Sequence, residues 1–138
     1  MNKSYLIPDT VKVLSTETVA PYIISYCDDG ILYLRITNEV EETIERSKAL
    51  VEVIGKMVNY KKVPMLSKFD EFALPPKENR DFWAKKDSCP YTSAEAFIVD
   101  STAMKLITNF YMHIEKPERE TRMFTKVEEA RKWLKNFL

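Results

Sequence analysis

At 138 residues the chain has the length of one domain with one core, and 45% apolar against 30% charged residues is a globular composition rather than a disordered one. Twenty-one Lys and Arg balance twenty-one Asp and Glu. No domain-wide basic field exists to draw the protein onto phosphate backbones or anionic lipid, so no nucleic acid is expected among its partners.

The first residues, NKSYLIPDT after Met1, are polar and broken, with neither a signal-peptide core nor the roughly 20-residue run of a membrane helix. A cytoplasmic protein without a membrane span is expected. Cys27 and Cys89 stand outside any CxxC and read as small core residues in a reducing compartment.

In chain order, residues 1–18 read as an N-terminal extension or edge strand, with the strand near Val11 to Ser15. Two β-rich runs, Pro21 to Asp28 and Ile31 to Thr37, meet at Asp29-Gly30 as a hairpin. The period then changes to 3.6: Ile44, Ser47, Leu50, Val51, Ile54, Met57 and Val58 share a helix face, Thr43 caps it, and Glu41, Glu42 and Glu45 sit near its positive end. Val63 to Phe69 reads as a buried strand, reached by a right-handed crossover onto a parallel neighbour. Pro76 opens a short helix to about Lys86, Ala94 to Asp100 is a strand, and Ser101 or Thr102 caps a helix that Lys116-Pro117 ends. A last strand, Thr121 to Thr125, leads through a Thr125 cap into a helix whose Val127, Ala130, Trp133 and Leu134 share one face, with Trp133 as the expected anchor. The expected fold is one α/β domain over residues 1–138, a mixed sheet with an N-terminal antiparallel hairpin and about four helices.

The chemistry is sparse. The single histidine, His113, rules out a multi-His metal site and lies at a helix end, where a surface role is the ordinary one. Two glycines, Gly30 and Gly55, cannot build a phosphate-cradling loop. No catalytic set, cofactor site or metal site is expected. Asp70 and Glu71 follow the buried strand at its carboxyl end, where open α/β sheets bind ligands, although Asp70 also suits a brace for its own loop. With Phe72, Lys77 and Trp83 they form the candidate surface for a partner or ligand, Phe82 adding to its apolar wall. In the helix from Thr102 to Ile114, the apolar residues Ala103, Met104, Leu106, Ile107, Phe110, Tyr111 and Ile114 span about 160°, against roughly 100° for a surface helix. The excess predicts a homodimer face at Met104 and Tyr111, a covering loop being the alternative.

Two motifs carry a resemblance. Asp29-Gly30-Ile31-Leu32 with Arg35, and Phe124 with Glu129, Ala130, Trp133 and Leu134, frame an element order that resembles the STAS-like proteins with the SpoIIAA-like fold, the fold of the anti-anti-sigma factors. The resemblance spans roughly residues 20 to 138 and implies a non-enzymatic domain acting through protein contacts, with an unknown protein partner; a binder of small apolar ligands or lipid is the alternative. Asp70 stands where that family has its aspartate, but no Ser or Thr lies between Ser67 and Ser88, so the family phosphoswitch does not carry over.

Overall fold

The computed structural model describes residues 6–138. Among the described residues six strands form one mixed sheet in sequence order: β1 Val13–Val19, β2 Tyr22–Cys27, β3 Leu32–Ile36, β4 Val63–Phe69, β5 Thr92–Ile98 and β6 Glu120–Phe124. β1, β2 and β3 pair antiparallel, and β3 to β6 pair parallel. Four α-helices lie between and after them: α1 Ile44–Met57, α2 Lys77–Ala84, α3 Thr102–Phe110 and α4 Val127–Leu134.

Of the expected N-terminal segment, residues 1–5 lie outside the described residues. The edge strand is β1, beginning two residues after the expected Val11, because Leu6, Ile7 and Val11 are drawn into the core as irregular chain instead. In the hairpin, Gly30 takes φ +81. A Cβ there would also stand 2.7 Å from the Leu138 Cδ2 atom. The turn geometry demands glycine, whereas the exposed Leu138 side chain can shift.

Helix α1 starts where Thr43 accepts a hydrogen bond from the Arg46 amide at 3.1 Å, and Ser47, Leu50 and Ile54 are its buried stripe. β4 is buried over nearly its whole length, as a strand covered on both faces must be. Because β3, β4, β5 and β6 step in one direction across the sheet, right-handed crossovers place α1, α2 and α3 on the same face. Tyr22, Ile24, Leu32, Leu34, Met65, Leu50 and Ile54 make the core beneath them. The pleat sends Tyr33, Leu66, Ala94, Ala96 and Ile98 to the other face, where α4 and the N-terminal segment close a second core.

The two ends of the chain are tied together on that second face. Tyr33 Oη donates to Asp29 Oδ2 at 2.6 Å, Arg131 Nε donates to Tyr33 Oη at 2.9 Å, and Arg131 Nη2 lies 3.3 Å from Asp29 Oδ2. Helix α4 departs from expectation at its start: Lys126, not Thr125, holds the cap position, with no side-chain bond, and Glu128 and Glu129 occupy the first turn. Its anchor also differs. Trp133 is half-buried, its ring 5.8 Å from Phe124 and 4.9 Å from Phe137, whereas Ala130 and Leu134 are withdrawn from solvent altogether. Leu134→Ala is therefore expected to cost about 2–5 kcal/mol in urea melts, and Trp133→Ala less than Leu134→Ala. The reverse order would contradict this packing.

Candidate functional site

The expected surface at Asp70, Glu71, Phe72, Lys77 and Trp83 does not come together. The Arg35 guanidinium grips Asp70 through both carboxylate oxygens at 2.8–3.2 Å, so Asp70 braces the ends of β3 and β4. The Glu71 side chain points to solvent while its carbonyl accepts from Asn38 Nδ2 at 3.0 Å. Phe72, at φ +66, is 80% exposed, and Lys77 pairs with Asp81 along the outer face of α2 at 2.8 Å. Only Trp83 turns inward.

Trp83 lines a cleft that the sequence did not single out. Its floor is the α1–α3 face of the sheet, with Tyr22 from β2, Leu34 and Ile36 from β3, Met65 and Phe69 from β4, and Glu95 and Phe97 from β5. Its walls are Arg80 and Trp83 from α2, Met104, Ile107 and Thr108 from α3, and Tyr111. Ile36 and Phe69 end their strands, so the cleft reaches the carboxyl edge of the parallel sheet, where ligands bind in this architecture.

Met104 and Tyr111, expected at a dimer face, are buried walls of this cleft. The α-helical wheel keeps its phase here, since Met104, Thr108 and Tyr111 follow at spacings of four and three, and the π-turn Tyr111–Glu115, closed by Lys116 N donating to Tyr111 O at 2.9 Å, comes only after them. The inward stripe also includes the polar Thr108 and the buried side chain of Glu115, while the apolar Leu106, Phe110 and Ile114 face outward at 66%, 49% and 61% exposure. Hydrophobicity alone pointed to the wrong side.

Polar groups converge behind the apolar lining. Asn79 Nδ2 donates to Ser47 Oγ at 2.9 Å, Ser47 and Tyr22 share a bond at 2.8 Å, and Tyr22 Oη donates to Glu42 Oε1 at 2.5 Å, a chain whose members polarise one another. Opposite, Glu95 accepts from Ser67 Oγ at 2.8 Å and faces the Arg119 guanidinium at 3.8 Å, while Arg119 Nη1 donates to the Trp83 carbonyl at 2.6 Å. Arg80 Nε donates to Glu115 Oε1 at 3.0 Å and Nη1 to the Pro75 carbonyl at 2.8 Å. Five atoms of these residues are buried without a hydrogen-bond partner: Glu42 Oε2, Asn79 Oδ1, Tyr111 Oη, Glu115 Oε2 and Arg119 Nε. Such groups are uncommon in a folded protein.

Burial pushes the Glu42 carboxyl above its ordinary range; the Tyr22 hydroxyl and the nearby Trp83 indole oppose the rise, and Glu95 adds to it. Glu95 is raised by burial as well, against Arg119 and Ser67. The Tyr22 and Tyr111 phenols are pushed up chiefly by burial and stay protonated donors. The cleft is narrow, with a cavity volume of about 40 Å³, room for roughly three water-sized groups. Beside it, sharing Ile36 and Glu42, lies a shallower hollow of about 250 Å³ between the loops after β3 and β4, where Phe72 and Leu74 form part of the rim.

Glu42 reads in the sequence only as one of three acids near the positive end of α1, because an acid next to a helix cap is ordinarily solvated. Glu95 had a signal: it is a charged residue inside the apolar run Ala94 to Ile98. Arg119 had none.

Residues 25–138 match the model of a domain of unknown function, DUF7793. No curated protein and no solved structure matches the chain. No helix among the described residues is long and apolar enough to cross a membrane.

An acid whose pKa is higher in the folded than in the unfolded state binds its proton more tightly when native, so stability falls as pH rises from the unfolded value through the folded one. Both Glu42 and Glu95 act in this direction from the ordinary value of 4.5 upward. Glu42→Gln removes one of them, and its stability is expected to decline less than that of the wild type as pH rises above the ordinary carboxyl value of 4.5. Urea midpoints across that range measure it; parallel curves would place Glu42 in water.

Proposed function

The chain belongs to the DUF7793 family, and from that premise we propose that it is a non-enzymatic, cytoplasmic binding domain of STAS-like type that takes a small ligand, or the small head of a larger one, into the cleft between the sheet, α2 and α3. The observation that carries this reading is the apolar cleft with buried, unpartnered polar atoms on its inner wall. Apolar walls with a few convergent polar groups are the usual make-up of a ligand site. The STAS-like part is supported by the contact between the segments that carry its two motifs, where Arg131 and Leu138, neighbours of the second motif, meet Asp29 and Gly30 of the first. At about 40 Å³ the cleft holds only a few heavy atoms, so a bulky lipid does not fit within it.

Native mass spectrometry of protein isolated from its host is expected to show a retained small molecule. Ile107→Trp, which fills the cleft, is expected to abolish it while thermal melts remain cooperative. Wild-type protein without any added mass, or a folded Ile107→Trp that keeps it, would remove the cleft as the site.

A second reading, contact with a protein partner or a second copy of the chain, is favoured by the exposed row Leu106, Phe110 and Ile114 on one side of α3 and the π-turn. Sedimentation at micromolar concentration distinguishes it from the first. Self-association that Phe110→Asp abolishes supports a homodimer through that row, whereas a monomeric wild type excludes it.

A further inference from the structure

Three buried carboxyl groups surround the cleft, and they are not equivalent. Glu95 faces Arg119 and Glu115 is bonded to Arg80. Glu42, 6% exposed, receives the Tyr22 hydroxyl on one oxygen, while its Oε2 makes no hydrogen bond, with the Trp83 indole nearby; among the described residues no ion pair reaches it. A buried acid without a counter-ion is costly to ionise, and no cation among the described residues is paired with it to offset that cost.

The lining around this acid suits a cation that comes from outside. Tyr22 and Trp83 meet edge to face with ring centroids 6.4 Å apart. Phe69 and Phe97 stack at 6.4 Å, and Phe97 meets Tyr111 edge to face at 5.9 Å. Five aromatic rings thus line one narrow space with one uncompensated acid. Aromatic faces carry negative quadrupole density and attract ammonium groups, the more so away from water. An anion in the same place would meet Glu42 and Glu95, and a neutral apolar group would leave the Glu42 oxygen and the Tyr111 hydroxyl as unpartnered as before.

Hydrogen bonding narrows the class further. A primary ammonium has N–H groups that can donate to Glu42 Oε2, and a quaternary head has none. The neighbouring hollow of about 250 Å³, which shares Glu42 and Ile36, leaves space for the remainder of a longer molecule.

We propose that the cleft selects a small primary ammonium ligand, whose charge meets the Glu42 carboxylate and whose carbon chain lies against the aromatic walls. This rests on the ligand-binding reading above. The ammonium stabilises the ionised form of Glu42 that burial otherwise disfavours. Glu42 is the specificity residue: it distinguishes ligands by charge, while the rings distinguish them by shape.

The test uses three probes of equal length, n-butylammonium, n-butanol and butyrate, titrated into the full chain and followed by amide chemical shifts of cleft residues. Wild-type protein is expected to bind butylammonium at least about tenfold more tightly than butanol, and butyrate least of the three. Glu42→Gln, with Gln able to keep the Tyr22 hydrogen bond, is expected to bring the amine and the alcohol to equal affinity. Equal binding of all three probes by the wild type overturns the charge selection and leaves the cleft as a plain apolar site. Retention of the amine preference in a folded Glu42→Gln overturns the role of Glu42. Silence of the cleft resonances toward every probe overturns both this inference and the ligand-binding reading. The wild-type comparison decides the point even where the variant does not fold.

Discussion

The handedness of the crossover connections governs this structure. Four parallel strands, β3 to β6, are laid down in sequence order, and each right-handed return places its helix over the same face. Three helices therefore share one side of the sheet, and the opposite side is closed by α4 and the irregular residues before β1. The sharing is unequal. α1 has 14 residues, α2 only 8, and α3 has 9 before it passes into a π-turn. A helix of eight residues is about 12 Å long. The cleft lies between α2, α3 and the sheet, and aromatic rings with a few polar groups line it.

Polar groups in that space follow from the same geometry. The face of β5 that carries Phe97 also carries Glu95, and the inward stripe of α3 and the π-turn carries Thr108 and Glu115. Burying these groups is unfavourable unless they are bonded, and two guanidiniums arrive for the purpose: Arg119 from the segment before β6, and Arg80 from α2. Replacing such pairs by apolar residues of similar volume is often neutral or stabilising, so they are not by themselves a source of stability. Glu42 stands apart in lacking a cation, and the aromatic surroundings give that lack a chemical meaning.

The second face is organised by a contact between the ends of the chain. Asp29 in the hairpin turn and Arg131 in α4 are 102 residues apart and meet through Tyr33, while the C-terminal Leu138 lies over Gly30. The DDGILYLR turn and the EARKWL helix are thus one assembly, in which each makes the other's geometry necessary. A side chain at Gly30 would disturb the C-terminus as well as the turn.

Taken by itself, the sequence determined those features whose cause is local. Period-two and period-3.6 patterns located β4 at Val63 to Phe69 and the hairpin at Asp29-Gly30, and the hydroxyl of Thr43 marked the start of α1, because side-chain alternation and capping act within a few residues. Strand–helix–strand alternation with right-handed returns then sufficed for the fold class. Tertiary structure alone decided which polar residues are buried. Glu42 depends on Tyr22, 20 residues away, Glu95 on Ser67, 28 residues away, and Arg80 on Glu115, 35 residues away. No period in the chain records such partners. The same holds for Met104 and Tyr111, which turn inward on one stripe with Thr108 and the Glu115 side chain, so that apolar Leu106, Phe110 and Ile114 remain outside. Burial of a charged or hydroxyl group is set by what meets it across the fold, and that is why the site emerged only from the folded chain.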